Sequence, residues 1–307
     1  MGPLTTYGVG GPAALFVEVD GRDELEALRS VLRGADVPVF VVGRGSNLLV
    51  ADAGFDGVAV RLGSGFATVR WPERGGGGGV IGRGGPTVAH VGGSALLPVV
   101  ARQAADAGWA GLTWAVGVPG SVGGAVRMNA GGHGSDMAAC LWRYSWVDLL
   151  SEDGGTDHLS RLHYGYRSSS VGRSELVLEA DLVVTEGDAE AEMAEVSSIV
   201  RWRREHQPGG SNAGSVFANP DGDSAGRLIE EAGMKGFRLG TARVSEKHAN
   251  FIQADKGGSA DDVRTLMDEV RARVLERSGV ALVAEVRLLG FADGETDGVG
   301  PGGGRRS

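Results

Sequence analysis

Residues 37–52 read VPVFVVGRGSNLLVAD, and the order of their parts separates two classes of glycine-turn fold. The apolar run at 37–42 reads as a buried strand, GRGSN at 43–47 as a glycine turn, and LLVAD as a second short strand. No amphipathic helix follows the turn. A dinucleotide fold of the Rossmann kind needs its glycine fingerprint to open a helix, so the sequence argues against that architecture. Just upstream, Leu25, Leu28 and Leu32 share one face of a helix that starts near Asp23.

A second glycine-dense stretch lies at 117–132, GVPGSVGGAVRMNAGG. Glycine permits positive φ and close approach of another molecule at an entropic cost to folding, so such a run implies either sharp turns or a ligand. Of 307 residues 54 are glycine, where about 7% is usual. With 42% hydrophobic residues the chain is no disordered linker, and its glycines belong in folded turns. A net charge of −9 argues against a phosphate-backbone partner, because nucleic-acid binders carry a basic stripe and only RWRREH at 201–206 is locally basic. The single cysteine, Cys140, permits no internal disulfide and no multi-cysteine metal site, which suits a reducing cytoplasm. MGPLTTYG does not read as a signal peptide, and no apolar run reaches the length of a membrane span.

The rest of the chain is mixed α and β without repeats. RGGGGG at 74–79 is a low-complexity loop tip. A strand is expected at 87–91, a helix at 96–107, and strands in LWRYSWVDLL (141–150) and ELVLEADLVVTE (175–186). A helix over 191–204, with Met193, Val196 and Val200 on one face, leads into a further domain. There AGRLIEEAG is helical, Ser259 starts a helix striped by Val263, Leu266, Met267, Val270 and Val274, and ALVAEVRLL alternates as a strand. That alternation puts Glu285 and Arg287 on one face. After Gly290 the composition predicts disorder.

Two glycine turns, 43–47 and 117–124, can offer convergent N–H groups to an anion such as a pyrophosphate, or can be plain turns. Ser46, Asn47 and Ser121 add short polar side chains beside the backbone. Asn129 can do likewise or can serve a left-handed turn.

TTYGVGGPA, GRGSNLLVAD, GVPGSVGGAVRMNAGG, YGYRSS, GSVFANP, AGRLIEEAGMKG, VSEKHANFI and EVRLLG stand in the same order as in the UDP-N-acetylenolpyruvoylglucosamine reductases, flavoenzymes of peptidoglycan precursor synthesis. The chain resembles that family from about residue 4 to residue 290. The resemblance implies an α+β FAD-binding fold of the vanillyl-alcohol-oxidase type in two subdomains (1–62 and 63–190). A C-terminal α+β substrate-binding domain (191–290) and a disordered tail (291–307) would follow. It implies FAD held by Gly43, Arg44, Gly45, Ser46 and Asn47 and by Gly117, Pro119, Gly120, Ser121, Gly123, Gly124 and Asn129. GRGSN contains no histidine or cysteine, so dissociable FAD is expected, with NADPH as reductant. A monomer is expected.

The family's reaction delivers a hydride to an enolpyruvyl double bond, and carbanion character then develops next to a carboxylate, a charge that needs cations, donors and a proton. By motif position Ser215 is the proton donor, Arg167 the stabilising cation and Glu285 the third catalytic group. Each has an ordinary alternative: a turn beside Gly214, an arginine lying over Tyr164 or Tyr166, an ion pair with Arg287. Tyr166, Asn219, Ser245, Lys247 and His248 fall in segments that line the UDP-sugar side in the family. His206 and His133 lack metal-ligand spacing and read as solvated or structural. The chain departs from the family pattern at Ala218, where a lysine or arginine is common, at Arg127, where an aromatic is usual, at Thr113, and in GGHG at 131–134. It lacks the extra tyrosine loop of the longer subgroup. Two other readings fit the fold: an FAD-dependent oxidase of an alcohol or sugar, and a flavin-binding paralogue without catalysis.

Overall fold

The computed structural model describes residues 1–75 and 85–291; most of the RGGGGG segment and nearly all of the expected tail lie outside the described residues. The chain forms two compact units that interleave along the sequence. The larger comprises Leu15–Gly43 and Gly57–Arg203, the smaller Met1–Ala14, Arg44–Asp56 and the chain from Arg204 onward. The sequence expectation is a linear division, at 62, 190 and 290. Parallel pairing of Arg287–Leu289 with Leu48–Val50 draws the early segment 44–56 into the unit built mostly from the end of the chain.

In the larger unit a five-stranded sheet runs in the order Gly154–His158, Leu141–Asp148, Glu175–Val183, Val88–Gly92, Val69–Arg70, with antiparallel neighbours throughout. A register shift opposite Ser145 and Trp146 breaks the alternation along Glu175–Val183,, so Ala180 and Leu182 join Ala89 and Val91 in one core while Leu176 and Leu178 enter another. The second core is completed by Val19, Val39, Val58 and Val60 from a three-stranded sheet and by Leu25 and Leu32 of helix α1 (Arg22–Leu32). Arg29 of α1 is buried and donates to the carbonyls of Asp148, Ser151 and Asp153. Its charge thus serves backbone acceptors at the end of the Leu141–Asp148 strand.

The first core packs beneath α2 (Leu97–Asp106) and α3 (Val122–Met128), followed by the single turn α4 (Met137–Cys140) and α5 (Ala189–His206). Helix α3 is a departure from the sequence reading, which takes 117–124 as a turn. Glycine costs a helix interior about 1 kcal/mol relative to alanine, and Gly123 and Gly124 stand in its first turn. Packing overrides that cost. Ser121 caps the helix by accepting from the Gly124 amide at 3.4 Å. The Gly123 amide donates to the Gly93 carbonyl at 2.8 Å, and a Cβ at Gly123 would lie 3.1 Å from the carbonyl oxygens of Gly93 and Val177. A Cβ there would need the facing backbone to give way by a few tenths of an ångström.

The smaller unit packs α6 (Ala225–Glu231) and α7 (Ala260–Ser278) on a sheet of Arg238–Leu239, Ala242–Val244 and Ile252–Ala254. Val263, Leu266, Met267, Val270 and Val274 form the buried stripe of α7, and Tyr7, Val9 and Leu49 share its core. Ser259 caps α7, its hydroxyl accepting from the Asp262 amide at 3.1 Å. The expected strand over 281–289 is shorter than its alternation suggests. Arg287–Leu289 pairs with Leu48–Val50, while upstream Ala284 bridges to Phe217. The segment changes partners between these points, so no ladder runs its full length. Among the described residues no helix is long and apolar enough to cross a membrane.

Candidate active site

In the smaller unit, three separated motifs meet. The Glu285 amide donates to the Val216 carbonyl at 2.8 Å, placing the Glu285 backbone beside the residue that follows Ser215. Asn47, at the end of GRGSN, donates through Nδ2 to the Glu285 carbonyl at 2.9 Å, and its own carbonyl accepts from the Arg287 amide at 3.0 Å. That pair of bonds occupies the point where the 284–289 segment switches partners. Ser215 follows Gly214, whose φ of 79° needs glycine,.

The residue that sequence reasoning missed here is Asn250. It is buried, its Oδ1 accepts from the Phe217 amide at 3.0 Å and its Nδ2 donates to the Phe217 carbonyl at 2.8 Å. Its own carbonyl accepts from the Val216 amide at 2.9 Å. Asn250 thus acts as a surrogate strand for the serine-bearing segment. Its motif VSEKHANFI stands out in the sequence, but a buried asparagine has no local signal distinguishing it from a turn residue.

Of the expected substrate residues in this unit, Ser245 is buried and its hydroxyl accepts from the amides of Lys247 and His248 at 3.1 and 3.4 Å. It orders the turn that presents them. Asn219 accepts from the Ala225 amide at 3.0 Å at the start of α6. The Lys247 ammonium donates to the Arg204 carbonyl. His248 accepts at Nδ1 from the Asn250 amide at 3.2 Å and packs edge-on to Phe251. Burial first, and the Lys235 charge after it, hold its pKa below the ordinary histidine value. Its ring is therefore neutral at pH 7, leaving Nε2–H as the donor. Ala218 continues the backbone ladder, its amide donating to the Val283 carbonyl at 2.8 Å.

In the larger unit the segment 117–132 meets YGYRSS. Arg167 stands at φ 51°, a left-handed conformation unusual for a long side chain,. Its guanidinium donates to the Gly131 carbonyl at 2.7 Å and lies 5.3 Å from the centroid of the exposed Tyr166 ring. Asn129 closes α3 at φ 41°, as an asparagine can,. Its carboxamide is committed to the protein: Nδ2 donates to the Gly165 carbonyl at 3.1 Å and to Asp136 at 3.3 Å, and Oδ1 accepts from the Ala138 amide at 2.9 Å. Arg127 donates to the Gly172 carbonyl at 2.6 Å. Thr113 is buried in the turn Thr113–Gly117.

The glycine turns answer two demands. A Cβ at Gly117 would lie 2.8 Å from the His133 ring, and one at Gly43 would lie 2.7 Å from the Ser121 hydroxyl, so a side chain at either position would have to displace its neighbour. Gly45 stands at φ 59° with Leu4 and Thr5 against it, and Gly120 at φ 141°. The backbone N–H groups of Arg44 and Gly45 meet no acceptor among the described residues. Donors left over in a partly buried glycine turn suit a pyrophosphate, so these residues fit the dinucleotide that the motifs imply.

The comparisons with known proteins agree with this geometry. Residues 13–160 match an FAD binding domain family, and residues 206–289 match the C-terminal domain of UDP-N-acetylenolpyruvoylglucosamine reductase. The chain is 42% identical over 301 residues to the UDP-N-acetylenolpyruvoylglucosamine reductase of Heliobacterium modesticaldum, covering 96% of this chain and 91% of the relative. It is 38% identical over 291 residues to that of Bacillus subtilis, covering 93% and 91%. The crystal structure of the Thermus caldophilus enzyme superposes with a TM-score of 0.79 at 34% identity, covering 94% of this chain and 96% of that one. With the serine, glutamate and arginine motifs in their expected order and relatives matched along nearly their whole length, the chain belongs to the UDP-N-acetylenolpyruvoylglucosamine reductase family.

Proposed function

We propose that this protein reduces the enolpyruvyl ether of UDP-N-acetylglucosamine to UDP-N-acetylmuramate, a step of peptidoglycan precursor synthesis on which cell shape and division depend. NADPH is the electron donor, the FAD is dissociable, and the protein works as a monomer in the cytoplasm. The observation that carries the reading is the Asn47 bridge, which ties the end of a glycine turn suited to a pyrophosphate to the backbone of Glu285 and, through Val216, to Ser215.

When bound, FAD supplies the hydride that NADPH donates and the terminal carbon of the enolpyruvyl group receives. The chain's own residues manage charge and proton. Arg167 offers a guanidinium that remains protonated and matches a carboxylate with its planar fork, so it stabilises the negative charge that grows beside the substrate carboxylate. Ser215 gives its hydroxyl proton to the carbon bearing that carboxylate, completing the lactyl ether, and Glu285 supports the charge arrangement around it. A positioned general acid is worth about 10² to 10⁴ in rate. Tyr166, Asn219, Lys247 and the Nε2–H of His248 are the polar groups offered to the UDP-sugar, while Ser245 acts by holding the turn that presents Lys247 and His248.

Oxidase chemistry is not favoured, because the relatives matched along the whole chain are reductases. The test is anaerobic. Wild-type protein loaded with FAD should bleach with NADPH and recover its flavin absorbance on adding the enolpyruvyl sugar. Ser215→Ala should bleach as well but recover about 10² to 10⁴ times more slowly. Recovery of the serine variant at the wild-type rate would remove Ser215 from the mechanism, and wild-type protein that ignores the sugar would leave a flavin-binding paralogue.

A further inference from the structure

The loop carrying Arg167 is fastened at five points to the end of α3 and the turn after it. The Tyr164 hydroxyl donates to the Val126 carbonyl at 2.7 Å, the Asn129 carboxamide to the Gly165 carbonyl at 3.1 Å, and the Arg167 guanidinium to the Gly131 carbonyl at 2.7 Å. The Ser169 hydroxyl donates to the Arg127 carbonyl at 2.5 Å, and Arg127 in turn to the Gly172 carbonyl at 2.6 Å. Residues 126–131 thus hold residues 164–172 almost rung by rung. All five bonds end on backbone carbonyls, and those of Val126, Arg127 and Gly131 lie within one turn of the left-handed Asn129, where the helix ends.

A non-glycine residue in a left-handed conformation costs about 1 to 3 kcal/mol and persists only where its surroundings over-determine it. Arg167 at φ 51° is such a residue. The Gly165 and Ser168 backbones close a tight turn around it, each donating to the other at 3.1 and 3.3 Å. The Asn129 carboxamide grips the first residue of this turn from outside. Both of its N–H groups and its oxygen are engaged with protein partners, which dedicates the side chain to this junction.

We propose that Asn129 is a positioning residue for Arg167, its carboxamide fixing the left-handed turn that aims the guanidinium, with Tyr164, Ser169 and Arg127 as lateral clamps. The proposal rests on the role given to Arg167 above. Arg127 then acquires a task of its own: it bonds to the far end of the arginine loop at Gly172.

The informative substitution is Asn129→Asp. Aspartate tolerates the left-handed conformation and still accepts from the Ala138 amide, but when ionised it cannot donate to Gly165 and it faces Asp136. Misplacing a reacting group by about 1 Å can cost about 10²-fold in rate, so flavin recovery with the enolpyruvyl sugar should slow about 10- to 100-fold. The loss should diminish as the pH falls into the carboxylic acid range, where the introduced carboxyl gains a proton and with it a donor, relative to wild type at the same pH. Amide exchange over 164–172 should accelerate in the flavin-free protein. In a double-mutant cycle with Arg167→Ala, the Asn129→Asp change should add little, because both act through one guanidinium. Ser169→Ala gives a second, milder reading of the same cycle should the aspartate variant fail to fold.

Asn129→Asp at the wild-type rate, or multiplying fully with Arg167→Ala, overturns the proposal while leaving the role of Arg167 intact. Arg167→Ala at the wild-type rate overturns both. For Ser169→Ala, full multiplication with Arg167→Ala likewise overturns it.

Discussion

Several side chains around the candidate site commit their polar atoms to the protein itself, and Asn250 shows the consequence most sharply. It satisfies both the amide and the carbonyl of Phe217 and is itself 4% exposed. Removing one partner of a buried hydrogen bond costs about 1 to 3 kcal/mol, and here two bonds are lost together. Asn250→Ala should therefore destabilise the protein by about 2 to 4 kcal/mol, read as a lower denaturation midpoint. An Asn250→Ala protein as stable as wild type would show that the serine segment does not need this clamp. Ser215, Glu285 and Arg167 were legible as candidates because their motifs are linear. Asn250 and the contacts of Asn129 were not, because their partners lie 33 and 36 residues away in sequence.

Among the elements, α7 is capped twice. Ser259 accepts from the Asp262 amide, and Asp52, which follows the glycine-turn strand, accepts from the Ser259 hydroxyl and from the amides of Ala260 and Asp261. Burial works to raise the Asp52 pKa, but those three donors outweigh it and hold the carboxyl below its ordinary 3.8. A carboxyl with a lowered folded-state pKa contributes stability above its unfolded value and loses it as pH falls through the folded one. Asp52 should thus stabilise the fold fully once the pH is well above 3.8, and that contribution should fade as the pH drops below 3.8. Asp52→Asn should cost about 0.5 to 2 kcal/mol near neutrality, the usual worth of a helix cap, and the difference from wild type should shrink in acid titrations of stability. A constant difference across pH would assign the loss to packing instead.

Across the whole molecule, two interleaved units keep separate hydrophobic cores. The lone cysteine belongs to a core of the larger one. Burial, with the Asp136 charge adding to it, pushes the Cys140 thiol up to about 12. The thiolate is the reactive form, so native protein should resist iodoacetamide in mildly alkaline buffer and react stoichiometrically once unfolded in guanidinium. Alkylation of native protein at the rate of a free thiol would place Cys140 outside the core. The measurement doubles as a probe of how often the larger unit opens.

The local pieces were readable from the residues alone: the strand, glycine turn and strand of 37–52 and the stripe and cap of α7; the serine, arginine and glutamate candidates came from the resemblance of their linear motifs to the reductase family. Periodicity and side-chain chemistry act over a few residues, and those features need no distant partner. The rest came only with folding. Helix α3 forms across two glycines where the carbonyls of Gly93 and Val177 lie close against Gly123. The strand expected over 281–289 shortens because Asn47 takes up its bonds where it changes neighbours. A side chain at Gly43 or Gly117 would press on Ser121 or His133, contacts that do not exist before the chain folds. Which atoms meet across long stretches of chain is set by packing and by the need to pair buried polar groups, and no local pattern carries that information.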